Sequence, residues 1–152
     1  MHGSEAALSP GETRDLHRIA GMMIPANEEH GVPGADDPDI FADVVRSLGR
    51  DTVPVRAALA ELAALSGGAF ADLDAAAANG IAASFYASGS ANAATLGRVI
   101  LQCYYRDDRV LRSLGVEPRP PFPRGHVVEQ GDWSLLDAVR DRPQLWRDDR
   151  GV

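Results

Sequence analysis

Leu96, Val99, Ile100, Cys103 and Tyr104 stand at i, i+3, i+4, i+7 and i+8. That spacing lays all five along one face of an α-helix, whereas a strand would send them to both sides of a sheet. Similar patterns recur upstream, each opened and closed by a recognisable signal. Ser9-Pro10-Gly11-Glu12 reads as a capping box with proline at the first helical position, followed by Leu16, Ile19, Ala20 and Met23, with Pro25 as the stop. Asp37-Pro38 opens a second helix whose buried face is Ile40, Phe41, Val44, Val45 and Leu48, ending at Gly49. A third starts near Asp51, carries Val55, Leu59 and Leu62, and ends before Gly67-Gly68; an alanine-rich fourth starts near Asp72 and includes Phe85 and Tyr86. The stripe from Leu96 is the fifth, a short sixth spans Asp108 to Leu114, and Ser134 to Arg140 adds a turn or two. Strand signals are nearly absent, with only His126-Val-Val-Glu129 fit to pair.

The expected fold is therefore all-α: a compact bundle of about five to six helices over residues 9–115, then a long proline-rich irregular strap over residues 116–152. At 152 residues and 45% hydrophobic content the whole is expected to be a single domain with a real core. Aromatics are 6% of the chain while alanine is abundant, which favours closely packed helices over a β-sandwich.

The strap carries both tryptophans and four of the prolines in the run from Pro118 to Pro123. Proline fixes φ and donates no backbone hydrogen bond, so Arg119-Pro-Pro-Phe-Pro-Arg-Gly125 is neither regular helix nor central strand. Its neighbours Trp133 and Trp146 still need a surface to cover them. A stiffened segment with aromatic anchors suits docking, because little order is lost on binding and Trp, Tyr and Arg concentrate interface energy.

The residues offer little catalytic apparatus. The net charge is −7, and all fifteen basic residues are arginine, which argues against general nucleic-acid or anionic-membrane binding. The single Cys103 rules out an internal disulfide and sits on an apolar stripe, as a buried structural thiol would. The acidic loop from Glu28-Glu29-His30 to Asp36-Asp37-Pro38-Asp39 lacks a calcium-loop pattern, and its Asp37 is better used as a cap. The four histidines have no zinc-ligand spacing. There is no nucleophile elbow, phosphate loop or dinucleotide fingerprint. Tyr104-Tyr105-Arg106-Asp107-Asp108-Arg109 admits an acid/base tyrosine, but also one core tyrosine, one outward tyrosine and locally paired charges. No basic or apolar leader and no run of membrane-spanning length is seen, so the chain is expected to be cytoplasmic.

Several segments together resemble a family. Ile19-Ala-x-Met-Met-Ile-Pro25 and Gly31-Val-Pro-Gly-Ala-Asp-Asp-Pro38 look like the opening of the gluconate 2-dehydrogenase subunit 3 family. Gln102-x-Tyr-Tyr-Arg-Asp-Asp-Arg-Val110, Arg119-Pro-Pro-Phe-Pro-x-Gly125 and Glu129-x-Gly-Asp-Trp-Ser-Leu-Leu136 look like the C-terminal half of its soluble members. The resemblance covers roughly residues 16–148. It implies a small accessory subunit of a glucose–methanol–choline-type flavoprotein, a hetero-oligomer in which the large subunit holds FAD and oxidises an alcohol or sugar. No cofactor is expected on this chain, and the family supplies no catalytic residues to carry over. Some relatives carry a twin-arginine export signal that is not seen here.

On this reading the partner interface comprises Tyr105, Arg119, Pro121, Phe122, Trp133 and Trp146, with Trp133 as the principal anchor. Two alternatives stand beside it: a small helical enzyme using Tyr105 or His126 as acid/base, or a free-standing helical binding module.

Overall fold

The computed structural model describes residues 7–120 and 122–143. The chain divides into two compact units, Met1–Pro118 and Arg119–Val152. Among the described residues all regular structure is helical, apart from one isolated antiparallel bridge between Asn27 and Val32. None of these helices is long and apolar enough to cross a membrane.

The first unit holds six α-helices: α1 Pro10–Met23, α2 Pro38–Arg46, α3 Thr52–Ser66, α4 Ala75–Ala87, α5 Ala91–Tyr104 and α6 Asp108–Ser113. All but α3 start where the sequence supplies a side-chain partner for otherwise orphaned backbone N–H groups, and α3 instead continues directly from the 3-10 turn Gly49–Asp51. Ser9 and Glu12 form the capping box of α1, with the Glu12 amide donating to Ser9 Oγ at 3.2 Å and the Ser9 amide to Glu12 Oε2 at 2.7 Å. Asp37, Asp74, Ser90 and Asp107 cap α2, α4, α5 and α6. Gly67 ends α3 at φ 68°, a left-handed conformation that costs a side-chain-bearing residue about 1–2 kcal/mol.

The core is one cluster. α3 packs on α1, α4 and α5, and α2 packs on α5. The five residues of the α5 stripe are all buried, as their spacing requires. Leu16, Ile19, Ile40, Val44, Leu59, Leu62 and Phe85 join them. Full burial of each large side chain contributes roughly 1.5–3 kcal/mol.

Three expectations need correction. α2 stops at Arg46 instead of Gly49; Leu48 is buried just beyond it, while Val45 is 37% exposed. The fourth helix begins at Ala75, because Phe70–Asp72 forms a separate 3-10 turn. That turn drops Phe70 fully into the core and is held by buried Asp15, whose Oδ1 accepts from the Ala71 amide at 2.7 Å. Asp72 is thereby left to pair with Arg14, and Asp74 becomes the cap. Residues 126–129, the one candidate strand, have no regular secondary structure.

In the second unit, Trp133–Leu136 forms a 3-10 turn leading into α7, Asp137–Arg140. This matches the short element expected from Ser134 to Arg140.

Candidate partner interface

The segment Tyr104 to Arg109 meets the loop before α2, some seventy residues earlier in the chain. The Tyr104 hydroxyl donates to the Pro33 carbonyl at 3.2 Å. Arg109 donates to both oxygens of Asp37, at 2.7 and 3.1 Å, and to both oxygens of Asp107, at 3.0 Å each. One planar guanidinium thus clamps the capping carboxylates of α2 and α6, a bidentate geometry that lysine does not reproduce. Arg106 similarly binds Asp43 of α2 and the Ser47 hydroxyl. The hydrogen bonds from Arg109 hold the Asp37 and Asp107 carboxyls below the usual carboxylate range, as those from Arg106 hold Asp43.

The two tyrosines are placed differently. Tyr104 lies in the core, with its phenol pushed up chiefly by burial, while Tyr105 caps the end of α5 and is 51% exposed. The rings meet edge to face at 5.3 Å. Tyr105, His30, Val32 and Leu114 line an open recess of about 380 Å³. Cys103 is buried behind this segment, and burial pushes its thiol up, as expected for a packing residue.

The remaining predicted interface residues belong to the second unit. Arg119 Nη2 donates to the Gly125 carbonyl at 2.7 Å, so the proline motif is looped back on itself by its own first and last residues. Gly125 sits at φ 67°, which permits that return. Phe122 is 84% exposed. Asp132 accepts from the amide and hydroxyl of Ser134, at 3.0 and 2.6 Å, which fixes the turn bearing Trp133. The Trp133 indole N–H donates to Gln130 Oε1 at 3.3 Å, and 62% of the residue remains open. Val127, Val128 and Leu135 are also exposed. His126 is exposed and forms no hydrogen bond among the described residues. Pro121 and Trp146 lie outside the described residues.

One surface escaped the sequence reading. Met22, Met23, Tyr86, Ala94 and Leu101 border a pair of adjoining depressions of about 430 and 400 Å³ between the end of α1, α4 and α5. Its signal was present as an absence: no charged residue occurs between Asp74 and Arg98, in a chain that is 24% charged.

No family model matches this chain, and neither a curated protein nor a solved structure does.

Proposed function

We propose that the chain is the non-catalytic small subunit of a hetero-oligomeric, FAD-dependent oxidoreductase of the glucose–methanol–choline type acting on an alcohol or sugar. It supports folding, stability or assembly of the catalytic flavoprotein. In that complex FAD and the reacting groups belong to the large subunit, and the C-terminal strap of this chain lies against it. The reading starts from the ordered motifs that resemble the gluconate 2-dehydrogenase subunit 3 family.

The observation that carries the docking role is the open aromatic and aliphatic surface of the second unit. Phe122, Val127, Trp133 and Leu135 are each more than half exposed, and short local bonds pin the turn that bears Trp133. A held indole has few rotamers to lose and a large apolar area to bury, the properties of an interface anchor. The contacts joining Asp37 to Arg109 and Pro33 to Tyr104 give a second, structural support. They supply a reason for two widely separated motifs of the first unit, residues 31–38 and 102–110, to occur in one sequence.

Co-expression of the tagged chain with a glucose–methanol–choline-type flavoprotein from the same organism tests the proposal. The expected result is a yellow complex of fixed stoichiometry that survives gel filtration. Recovery of the two proteins in separate peaks, each folded, would overturn it.

A further inference from the structure

We propose that the largely uncharged groove between α1, α4 and α5 is a second docking surface, and that it takes the apolar face of an amphipathic helix of the flavoprotein partner. The inference rests on the subunit reading above and extends it to the helical body. α4 contains no charged side chain, and neither do the first two turns of α5. Asn79 and Ser84 are the only α4 side chains with strong polar groups besides the Tyr86 hydroxyl, and a helix this apolar is normally covered over most of its surface. Here Ala78, Ala82 and Phe85 are buried, whereas Ala83, Ser84, Tyr86 and Ala87 face outward.

The surface is a shaped groove. Tyr86 and Met23 border both depressions, and the Met23 methyl lies 3.6 Å from where a Cβ at Gly97 would stand. Methionine walls adapt to varied apolar side chains. Two neighbouring depressions fit successive anchors of an amphipathic helix, spaced three or four residues apart. The Tyr86 hydroxyl makes no hydrogen bond among the described residues. Although 37% of the residue is open, its phenol is pushed up to about 12 by burial, so the hydroxyl sits in apolar surroundings as a neutral donor. It can serve a hydroxyl or a free carbonyl on the incoming helix. Charge selects the same occupant, since a charged side chain entering this groove would meet no counter-charge except Arg98 at its rim, already paired with Asp51.

A second copy of this chain is the weaker occupant. α4 is 13 residues long, so its outer face measures about 20 by 10 Å. That is roughly 200 Å² from α4, and the bordering turns of α1 and α5 bring the groove to only a few hundred, against the ~800 Å² per partner of a standard interface. A groove of that size serves as one part of a larger contact, which a large flavoprotein subunit can provide.

The test measures flavoprotein binding by the full-length chain carrying Ala83→Arg, Ala94→Arg or Tyr86→Phe, with Leu65→Arg on α3 as a surface control. Ala83 and Ala94 are exposed and Arg is a good helix former, so helix content and melting temperature should match the wild type. Each Arg variant is expected to bind at least tenfold more weakly, Tyr86→Phe a few-fold more weakly, and Leu65→Arg as the wild type does. Wild-type affinity in both folded Arg variants would overturn the inference and leave the subunit reading intact. A wild-type dimer that the Arg variants dissociate, with flavoprotein binding unchanged, would assign the groove to a second copy and also overturn it. If the wild-type chain binds no flavoprotein at all, the subunit reading falls and this inference with it.

Discussion

Replacing Arg109 by alanine removes the clamp between the caps of α2 and α6. The side chain makes four charge-assisted hydrogen bonds, to Asp37 and Asp107. Bonds of this kind contribute about 1.5–3 kcal/mol in protected sites, but exposed ion pairs only ~0–1. Arg109 is 41% exposed while its two partners are 20% and 17% exposed, which calls for a value near the lower end. Both aspartates also keep the backbone amides they cap, those of Asp39 and Ile40 for Asp37 and that of Arg109 for Asp107, so neither is stranded. The net loss should be about 1–2 kcal/mol, a fall in melting temperature of roughly 3–10 °C for a domain of this size. Thermal and urea unfolding followed by far-ultraviolet circular dichroism would measure it.

The pH dependence identifies the cause. Asp37 and Asp107 have folded-state pKa values below their unfolded ones, chiefly through hydrogen bonds from Arg109. Their contribution is therefore complete above the unfolded carboxylate pKa of about 3.9 and is lost as pH falls through the lower folded values. The gap between wild type and Arg109→Ala should be full at neutral pH and shrink below about pH 4. Arg109→Lys keeps the charge without the fork and should recover less than half of the loss. A variant as stable as wild type at neutral pH would refute the clamp. A gap that persists undiminished in acid would show that packing, not charge, is what the side chain contributes.

Three further outcomes are expected. Phe85→Ala, at a fully buried ring where α4 meets the core, should cost about 3–5 kcal/mol in urea unfolding; a loss under ~1 kcal/mol would mean that the ring is not part of a tight core. Cys103 should react with a thiol reagent at neutral pH only once the chain is unfolded, since it is buried and its thiol is pushed up by desolvation; rapid labelling of native protein would contradict that placement. Trp133→Ala should weaken flavoprotein association about tenfold or more while leaving helix content unchanged, and unchanged binding would move the main contact off the strap.

Much of the fold could be read from local chemistry. The capping box at Ser9, the Asp37-Pro38 start, the Gly67 stop and the α5 stripe are signals set by backbone geometry, and the structure keeps each of them. The fourth helix was misplaced because Asp72 and Asp74 are both acceptable caps, two residues apart. Only the tertiary demand of Asp15 for the Ala71 amide chooses between them. Arg106 and Arg109 were read as pairing locally, which Asp107 partly confirms. Their longer-range partners Asp43 and Asp37 lie 63 and 72 residues away, a relation no periodicity reveals. The groove beside α4 has no periodic signal: alanine serves equally as a packing residue, and only the lack of charge on the outward positions marks it.

Sedimentation velocity of the chain mixed with a glucose–methanol–choline-type flavoprotein from the same organism, detected at the flavin absorption band, tests the central proposal most directly. The account predicts that the flavin boundary sediments faster on adding this 16.2 kDa chain and saturates at a fixed ratio. A flavin boundary that does not move, with both proteins folded, would contradict it.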